Sequence, residues 1–417
     1  MKKLLCVLLC CTLLSSCSSD KRSAPQEGRL SLSPKAELVS TKNAIKLNKV
    51  QNPSQWHHIY QNTQNNRPHI QSIPDKDTDW TVDIGKNYDI DNLPNAPVVV
   101  VQDAIYALNG AFELVKINRA DGQLVWRKKL SEDSAKQIGL ATNGSQVFVI
   151  SEQGHLISVK PDGEIAWEKE LSMPVRTTPT LSSNLIFVVS SKNLLLALNQ
   201  KTGKEVWRYK TTESDTFLRG MAHPALAQNI LVVPFTTGEV IAFDAASGMI
   251  LWGQMMVGNQ VEDIYELPHI LASPVINGST VYLAGNANLL GAFNLQSGQT
   301  KWTHNIGTLI TPVISGNTLF VLAKNHHLFA LETTTGRVFW DKEMPHDKKT
   351  IWNNLTLTNN MLLVQDAEQV YHIDPLTGEV KKKTDKTNFI TEPIAVNETS
   401  FVLTNRAKVK SYHQGAK

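Results

Sequence analysis

Histidine pairs are the most concentrated of the side chains in this sequence that could do chemistry. They are His57–His58 and His326–His327. A structural or catalytic metal ion is held by three or four ligands, and neither pair has a third ligand at a metal-site spacing. Adjacent residues of a strand also point to opposite faces, which separates the members of a pair. We therefore expect packed or exposed histidines and no metal site.

Sequence motifs for nucleophilic and phosphate chemistry are missing as well. There is no Gly-x-Ser-x-Gly elbow and no Walker-type phosphate loop. Aspartate and glutamate are scattered, so no carboxylate pair can be nominated for acid–base catalysis. We therefore predict a protein that is not an enzyme, with no catalytic residues and no cofactor.

The N-terminus is typical of an export signal. Lys2 and Lys3 precede an apolar run from Leu4 to Leu14. A basic start and a short apolar run indicate a secretory signal. The run has about 11 residues, whereas a membrane-spanning helix needs about 20. All four cysteines lie at this end of the chain: Cys6, Cys10, Cys11 and Cys17.

The end of the apolar run predicts a lipid anchor. Leu14-Ser15-Ser16-Cys17 resembles the lipobox of bacterial lipoproteins. The alternative is an ordinary signal peptide that contains Cys17. The lipobox implies that residues 1–16 are removed and that Cys17 is acylated; several acyl chains anchor a protein stably. Ser18 follows, where Asp would favour retention in the inner membrane, so the resemblance implies the periplasmic face of the outer membrane. No thiol is then left for a disulfide or a nucleophile.

Composition divides the remaining chain into a tether and a folded body. The formal charge is +3, and loss of Lys2 and Lys3 leaves +1, which argues against nucleic-acid binding. Residues 17–52 are rich in Ser, Lys, Asn and Gln, and we expect a flexible tether there. Residues 53–417 are expected to form the folded domain, with its core from about residue 79. The lysines at 381–383 and 386 predict a solvated face or, alternatively, a patch for lipid headgroups or a partner.

One repeat recurs through the folded body. A glycine in a turn is followed four positions later by tryptophan, and six of the nine tryptophans occupy this place. The six are Trp126, Trp167, Trp207, Trp252, Trp302 and Trp340. A seventh repeat begins at Gly378 and has Lys382 in place of tryptophan. The spacing between these glycines is 38 to 50 residues, which is typical of four-stranded propeller blades.

The segments between the repeats predict strands. They are short, rich in β-branched residues and bounded by Asn, Gly, Ser or Asp. A proline opens most of the first strands: Pro97, Pro179, Pro224, Pro274, Pro312 and Pro393. The tryptophan of each blade is expected to pack on the next blade. Seven fourth strands are counted, and Trp80–Gly85 looks like an isolated eighth.

We therefore predict an all-β fold, an eight-bladed β-propeller of four-stranded antiparallel blades. The Trp80–Gly85 segment is expected to pair with the C-terminal strands, so that the two ends of the chain close the ring and remove open sheet edges. Seven blades remain the alternative if the termini do not pair.

The repeat Ala197–Trp207 resembles the PQQ-type propeller repeat, and Trp56–Asn62 resembles the lead-in strand of that family. The family contains quinoprotein dehydrogenases and the BamB lipoproteins of the outer-membrane β-barrel assembly machine. The BamB resemblance implies a non-catalytic scaffold that binds BamA and assists nascent outer-membrane proteins, as a monomer within a hetero-complex. A dehydrogenase would need PQQ and calcium, and often an adjacent-cysteine disulfide that this chain cannot form. A third hypothesis is a propeller for another envelope protein.

The BamB resemblance also suggests a contact loop. Leu218, Arg219 and Gly220 match the loop through which that family contacts BamA. A protruding Leu and Arg suit an interface hot spot, and the alternative is a loop whose Leu packs back on its own blade. The family also uses acidic residues in the next inter-blade loop. Here the nearest acids, Glu262, Asp263 and Glu266, are displaced, which puts that half of the contact in doubt.

Overall fold

The computed structural model describes nine stretches of the chain. They are residues 45–71, 78–88, 98–131, 138–175, 177–213, 222–258, 269–366, 368–385 and 393–413. Within these residues, 32 strands form eight four-stranded antiparallel sheets, so the predicted eight-bladed propeller is confirmed. The described residues include no helix long and apolar enough to cross a membrane.

Each blade has four strands, A to D, in consecutive order. Blade 1 contains β2 (Val98–Val101), β3 (Ala104–Leu108), β4 (Glu113–Asn118) and β5 (Leu124–Lys129). Blade 2 contains β6 (Ile138–Thr142), β7 (Val147–Ser151), β8 (His155–Val159) and β9 (Ile165–Glu170). Blade 3 contains β10 (Thr180–Leu181), β11 (Leu185–Val189), β12 (Leu194–Asn199) and β13 (Glu205–Lys210). Blade 4 contains β14 (Ala225–Ala227), β15 (Ile230–Pro234), β16 (Glu239–Asp244) and β17 (Ile250–Met255).

The second half of the ring follows the same order until the last blade. Blade 5 contains β18 (Val275–Asn277), β19 (Thr280–Gly285), β20 (Leu289–Asn294) and β21 (Thr300–His304). Blade 6 contains β22 (Val313–Ser315), β23 (Thr318–Leu322), β24 (His327–Glu332) and β25 (Val338–Glu343). Blade 7 contains β26 (Asn354–Thr358), β27 (Met361–Gln365), β28 (Gln369–Ile373) and β29 (Val380–Asp385). Blade 8 contains β30 (Ile394–Val396), β31 (Thr399–Leu403), β32 (Lys408–His413) and β1 (Trp80–Asp83).

Blade 8 closes the ring with both ends of the folded body. β1 pairs antiparallel with β32, with Trp80 opposite Ser411 and Asp83 opposite Lys408. The predicted closure by N- and C-terminal strands is therefore confirmed, and the seven-bladed alternative is wrong. A strands of neighbouring blades contact each other at five of the blade boundaries, for example β2 with β6 and β14 with β18, which places the A strands around the axis. The D strands form the outer edges.

The tryptophans of the repeat lie between consecutive blades. Each indole covers the glycine of the next C–D turn so closely that a methyl group on that glycine would meet ring atoms 2.6 to 3.2 Å away. The pairs are Trp80–Gly122, Trp126–Gly163, Trp167–Gly203, Trp207–Gly248, Trp252–Gly298, Trp302–Gly336 and Trp340–Gly378. A β-bulge just before each tryptophan of blades 1 to 6 shifts the C–D register. A bulge increases the local twist and re-aims the following side chain, here toward the next blade.

Each indole of blades 1 to 6 also makes a hydrogen bond across the blade boundary. Its Nε1 donates to a backbone carbonyl in the next C–D turn at 2.8 to 3.1 Å. The acceptors, in order, are Pro161, Gln200, Ala245, Leu295, Thr333 and Pro375. Because the polar end of each ring is paired, the indole can be buried without leaving an unsatisfied donor.

Lys382 replaces tryptophan at the boundary between blades 7 and 8, where the next blade has no C–D turn on which an indole could pack. In blade 8 the outermost strand β1 precedes blade 1 in the chain, so no C–D hairpin connects it to β32. Lys382 lies on β29 opposite His372 of β28, and its side chain is exposed. The missing tryptophan of the seventh repeat therefore follows from ring closure: blade 8 offers no turn glycine on which an indole could pack.

Gly248 and Gly278 offer a matched test of the tryptophan–glycine contact. Gly248 has φ +75° and lies under Trp207, whereas Gly278 has φ +60° and open space around its Cα. Replacing either glycine by alanine strains the backbone, which costs about 1–2 kcal/mol. We expect Gly248→Ala to lower the free energy of unfolding by about 1–3 kcal/mol more, because its methyl group displaces the indole. Urea unfolding of both variants measures the difference, and equal losses would contradict the contact.

Candidate functional site

Residues 45–71, which we call the closure segment, lie across the ring at the end where A strands turn into B strands. Part of the stretch expected to be tether, residues 45–52, belongs to this segment. Its backbone bonds reach A strands or A–B turns of most blades: Trp56 with Val100, His57 with Thr142, Thr63 with Leu226, Gln64 with Ile276, Lys46 with Asn317, Ile70 with Asn359 and Pro53 with Asn397. In blade 3 the contact is made by His58, which bonds the carbonyl of Pro179. The closure segment thus contacts all eight blades.

Polar side chains of the closure segment fill the centre of the ring. Asn65 is buried, and its Nδ2 donates toward the carbonyls of His223, Pro224 and Pro274 at 3.1 to 3.2 Å. Tyr60 is also buried, and its hydroxyl lies 3.2 Å from Oγ1 of Thr311. Unpaired polar groups would be costly there, so these bonds make the register of the segment specific.

Arg67 extends the closure segment to blade 7. Its guanidinium lies 4.4 Å from the centre of the Tyr60 ring, in a cation–π contact. Nη1 also donates to Oδ1 of Asn354 at 3.2 Å and to the carbonyl of Leu355 at 3.1 Å. The positive charge is therefore held inside the ring by an aromatic face and by oxygen acceptors.

Residues that precede the prolines of blades 3 to 6 form a hydrogen-bonded belt around the axis. The amide of Thr178 donates to Nδ1 of His223 at 3.1 Å. The amide of His223 donates to Oγ of Ser273 at 2.9 Å, and the amide of Ser273 donates to Oγ1 of Thr311 at 3.0 Å. A residue before proline is held extended. Each amide of this axial belt is thereby directed to the neighbouring blade instead of its own sheet.

Two histidines in this region are neutral at pH 7. Burial, with a smaller contribution from His57, lowers the pKa of His58 to about 3. Burial lowers the pKa of His223 to about 4, with a second contribution from the Arg67 charge. Because Nδ1 of His223 accepts the Thr178 amide, its proton sits on Nε2. Protonation of either ring would place a positive charge in a buried site, and for His223 this charge would add to that of Arg67.

The second histidine pair lies at the end of blade 6. The ring of His326 stacks on His346 with centroids 4.0 Å apart, and Nε1 of Trp352 donates to Nδ1 of His326 at 3.0 Å. His327 points elsewhere, with Nδ1 2.6 Å from a carboxylate oxygen of Asp341. The described residues contain no group of three or more His, Cys, Asp or Glu that could hold a metal ion.

The sequence-predicted contact residues lie outside the described residues. These are Cys17, the loop residues Leu218, Arg219 and Gly220, and the displaced acids Glu262, Asp263 and Glu266. The connection from β13 to β14 is described on both sides of that loop, at Glu213 and Ala222. Glu213 pairs with Lys210 at 2.7 Å and with Lys192 at 3.8 Å. In a four-stranded antiparallel blade, the D strand ends at one end of the ring and the A–B turn lies at the other. The connection from β13 to β14 therefore starts at the end of the ring that the closure segment does not cover.

The sequence predicts only part of this arrangement. The lead-in strand that the resemblance implies for Trp56–Asn62 is wrong, because Trp56 makes only an isolated bridge to Val100 and the residues after it form turns and bends. Asn65 and Arg67 carry no repeat signal. The prolines before the A strands belong to the predicted pattern, whereas the belt made by their preceding residues does not. Comparing those preceding residues between repeats would have shown Thr, His, Ser and Thr, all able to hydrogen-bond, at equivalent positions.

The fold and these contacts define a ring-closed propeller of the PQQ-type repeat, with side chains of the closure segment at its centre. A family profile described as outer membrane protein assembly factor BamB matches residues 110–342 and 290–411. The chain belongs to this BamB family.

Known relatives agree with this membership. The outer membrane protein assembly factor BamB of Yersinia pestis is 27% identical over 320 residues, which cover 72% of this chain and 79% of that protein. The crystal structure of BamB from Moraxella catarrhalis superimposes with a TM-score of 0.67 at 18% identity, over 81% of this chain and 99% of that one. Quinohemoprotein alcohol dehydrogenase from Comamonas testosteroni superimposes with a TM-score of 0.64 at 12% identity, over 87% of this chain and 81% of that one. At such identity the dehydrogenase shares the fold alone.

The residues described here do not fit the calcium ion that a quinoprotein dehydrogenase would require. Calcium needs six to eight oxygen ligands with clustered carboxylates. Such a cluster is not found in the described part of the chain. Two buried polar side chains at the centre of the ring, Asn65 and Tyr60, are instead hydrogen-bonded to groups of the blades.

Proposed function

We propose that this protein is a non-catalytic scaffold lipoprotein of the outer-membrane β-barrel assembly complex. Acylated Cys17 anchors it at the periplasmic face of the outer membrane. The loop containing Leu218, Arg219 and Gly220 binds a BamA-like barrel subunit, and the bound propeller assists insertion of nascent outer-membrane proteins. It acts as a monomer within this hetero-complex.

The observation that carries this proposal is the BamB family match over residues 110–411, with relatives named as outer membrane protein assembly factors. Two features of the ring support it. The closure segment covers one end of the ring with backbone bonds from Lys46 to Ile70. This leaves the opposite end, where each D strand leads to the next A strand, as the docking face. The connection that carries Leu218 and Arg219 leaves blade 3 at that second end.

Co-purification from envelope extracts tests the docking step. We expect Leu218→Ala/Arg219→Ala to reduce recovery of the BamA-like subunit at least ten-fold, because loss of one apolar and one charged anchor costs more than about 2 kcal/mol at a hot spot. Gln296→Ala, an exposed residue at the C–D turn of blade 5, is the matched control. Equal recovery with the double variant and the control would refute the assigned loop, and no recovery with the unmodified protein would refute the complex itself.

A further inference from the structure

The outermost strands of the blades carry charged residues, with one exception. Within the described residues each D strand is paired on its inner side only. Exposed strand edges can pair with foreign strands, and charged side chains are one of the features that prevent this pairing. The D strands of seven blades each contain at least one charged residue: Arg127, Glu168, Arg208, Lys301, Asp341, Lys383 and Asp83. β17 of blade 4, Ile-Leu-Trp-Gly-Gln-Met, contains none.

This uncharged edge also exposes apolar side chains. Met249, Ile250, Leu251 and Met255 are 62%, 50%, 38% and 52% exposed. They are four of the 12 large apolar residues exposed among the described residues, gathered on one strand and the residue before it. We call Met249–Met255 the blade-4 edge. Clustered exposed apolar residues indicate an interaction surface, and methionine adapts its shape to different partners.

Gly253 is a second and independent observation on this edge. It follows Trp252, at the place where blades 1, 2 and 3 have Arg127, Glu168 and Arg208. A Cβ on Gly253 would meet nothing closer than a backbone oxygen 4.0 Å away, and its φ is not in the left-handed region. Neither packing nor backbone geometry inside the chain calls for glycine, which weakens a strand. Glycine in a strand is typical of a place where another backbone approaches closely.

We propose that the blade-4 edge binds an extended, uncharged and apolar segment of another protein as an added strand. The free backbone amides and carbonyls of β17 suit a β-strand and no other element. The lack of charge suits an occupant without charge, and Gly253 leaves room for one of its side chains. That this occupant is a strand of an unfolded outer-membrane protein rests on the proposed function; strand addition itself does not.

Peptide binding to the full protein tests the inference. The probe is a fluorescent ten-residue peptide of alternating Val and Thr, and its partner probe is a fluorescent ten-residue polyproline peptide, which has no backbone N–H to donate to a ladder on either edge. We expect the first peptide to raise fluorescence anisotropy and the second to leave it unchanged. Gly253→Lys and Met255→Lys each restore a charge that other blades carry, and each should weaken binding at least ten-fold. Thr303→Lys, the residue after Trp302 in blade 5, should bind as the unmodified protein does.

Three results would overturn the inference. One is equal binding by the Gly253→Lys variant and the Thr303→Lys control. Another is equal binding of the proline peptide, which would indicate apolar adhesion without strand pairing. The third is a dimer in sedimentation that Met255→Lys dissociates, which would make a second copy of this chain the occupant. The edge variants should still co-purify the BamA-like subunit, so a failure of strand addition is distinguishable from a failure of the proposed function.

Discussion

Replacing Trp302 by alanine is expected to lower the free energy of unfolding by about 3–5 kcal/mol, a typical cost for removing a buried indole. Trp302 is 8% exposed and covers Gly336 of blade 6. Its Nε1 donates to the carbonyl of Thr333 at 3.0 Å, and its ring lies 6.1 Å from that of Tyr282. Truncation therefore opens a cavity between blades 5 and 6 and leaves the carbonyl of Thr333 with the Tyr282 hydroxyl, 3.1 Å away, as its remaining side-chain donor.

Two further variants separate the contributions of the indole. Trp302→Phe keeps an aromatic ring but not the hydrogen bond, and we expect a loss of about 1–2 kcal/mol. Lys382→Ala changes the same repeat position at the boundary without a receiving turn, and its exposed side chain should contribute less than about 0.5 kcal/mol. Urea midpoints at fixed pH compare the three variants. Similar losses for Trp302→Ala and Lys382→Ala would contradict the role of the indole between blades.

The repeat made the architecture predictable because the same physical demand recurs at each boundary. A glycine at positive φ closes the C–D turn, and the following tryptophan packs on the next such glycine. Sequence spacing therefore yields the number of blades, and Trp80 completes the count. The β-bulge before Trp340 could not be predicted, because Phe339 fits a regular strand equally well. The bulge became visible only in the register against Ala330 and Leu331.

The closure segment escaped prediction for a different reason. Its bonds are made largely between backbone groups far apart in sequence, such as Pro53 with Asn397 and Ile70 with Asn359. Such bonds impose no periodicity on side chains, so the composition of residues 45–52 resembled a tether. Cys17, Leu218 and Arg219 were nominated by resemblance alone, and they remain predictions. The blade-4 edge could have been found by comparing the charged residues of the D strands, because β17 is the one D strand of the described blades that contains none.

Acid is expected to destabilise the ring between pH 6.5 and pH 4 through His58 and His223. Both have a folded-state pKa below the unfolded value near 6.5, at about 3 and about 4. Above pH 6.5 both rings are neutral in either state and contribute no pH dependence. Below it the unfolded chain binds protons that the folded chain does not, so stability falls as pH falls. Each histidine contributes roughly 1.4 kcal/mol per pH unit, or about 2.7 kcal/mol per unit together.

Urea unfolding at pH 7.5, 6.0 and 5.0 measures this dependence. His58→Gln/His223→Gln should be less stable than the unmodified protein at pH 7.5, because both rings make buried hydrogen bonds, and its stability should vary less with pH. His413→Gln, at the exposed end of β32, is the control and should keep the full slope. An unchanged slope in the double variant would mean that neither ring resists protonation. The burial of His58 and the contact of His223 with Thr178 predict the opposite, because burial disfavours the charged imidazole and a protonated His223 could not accept the Thr178 amide.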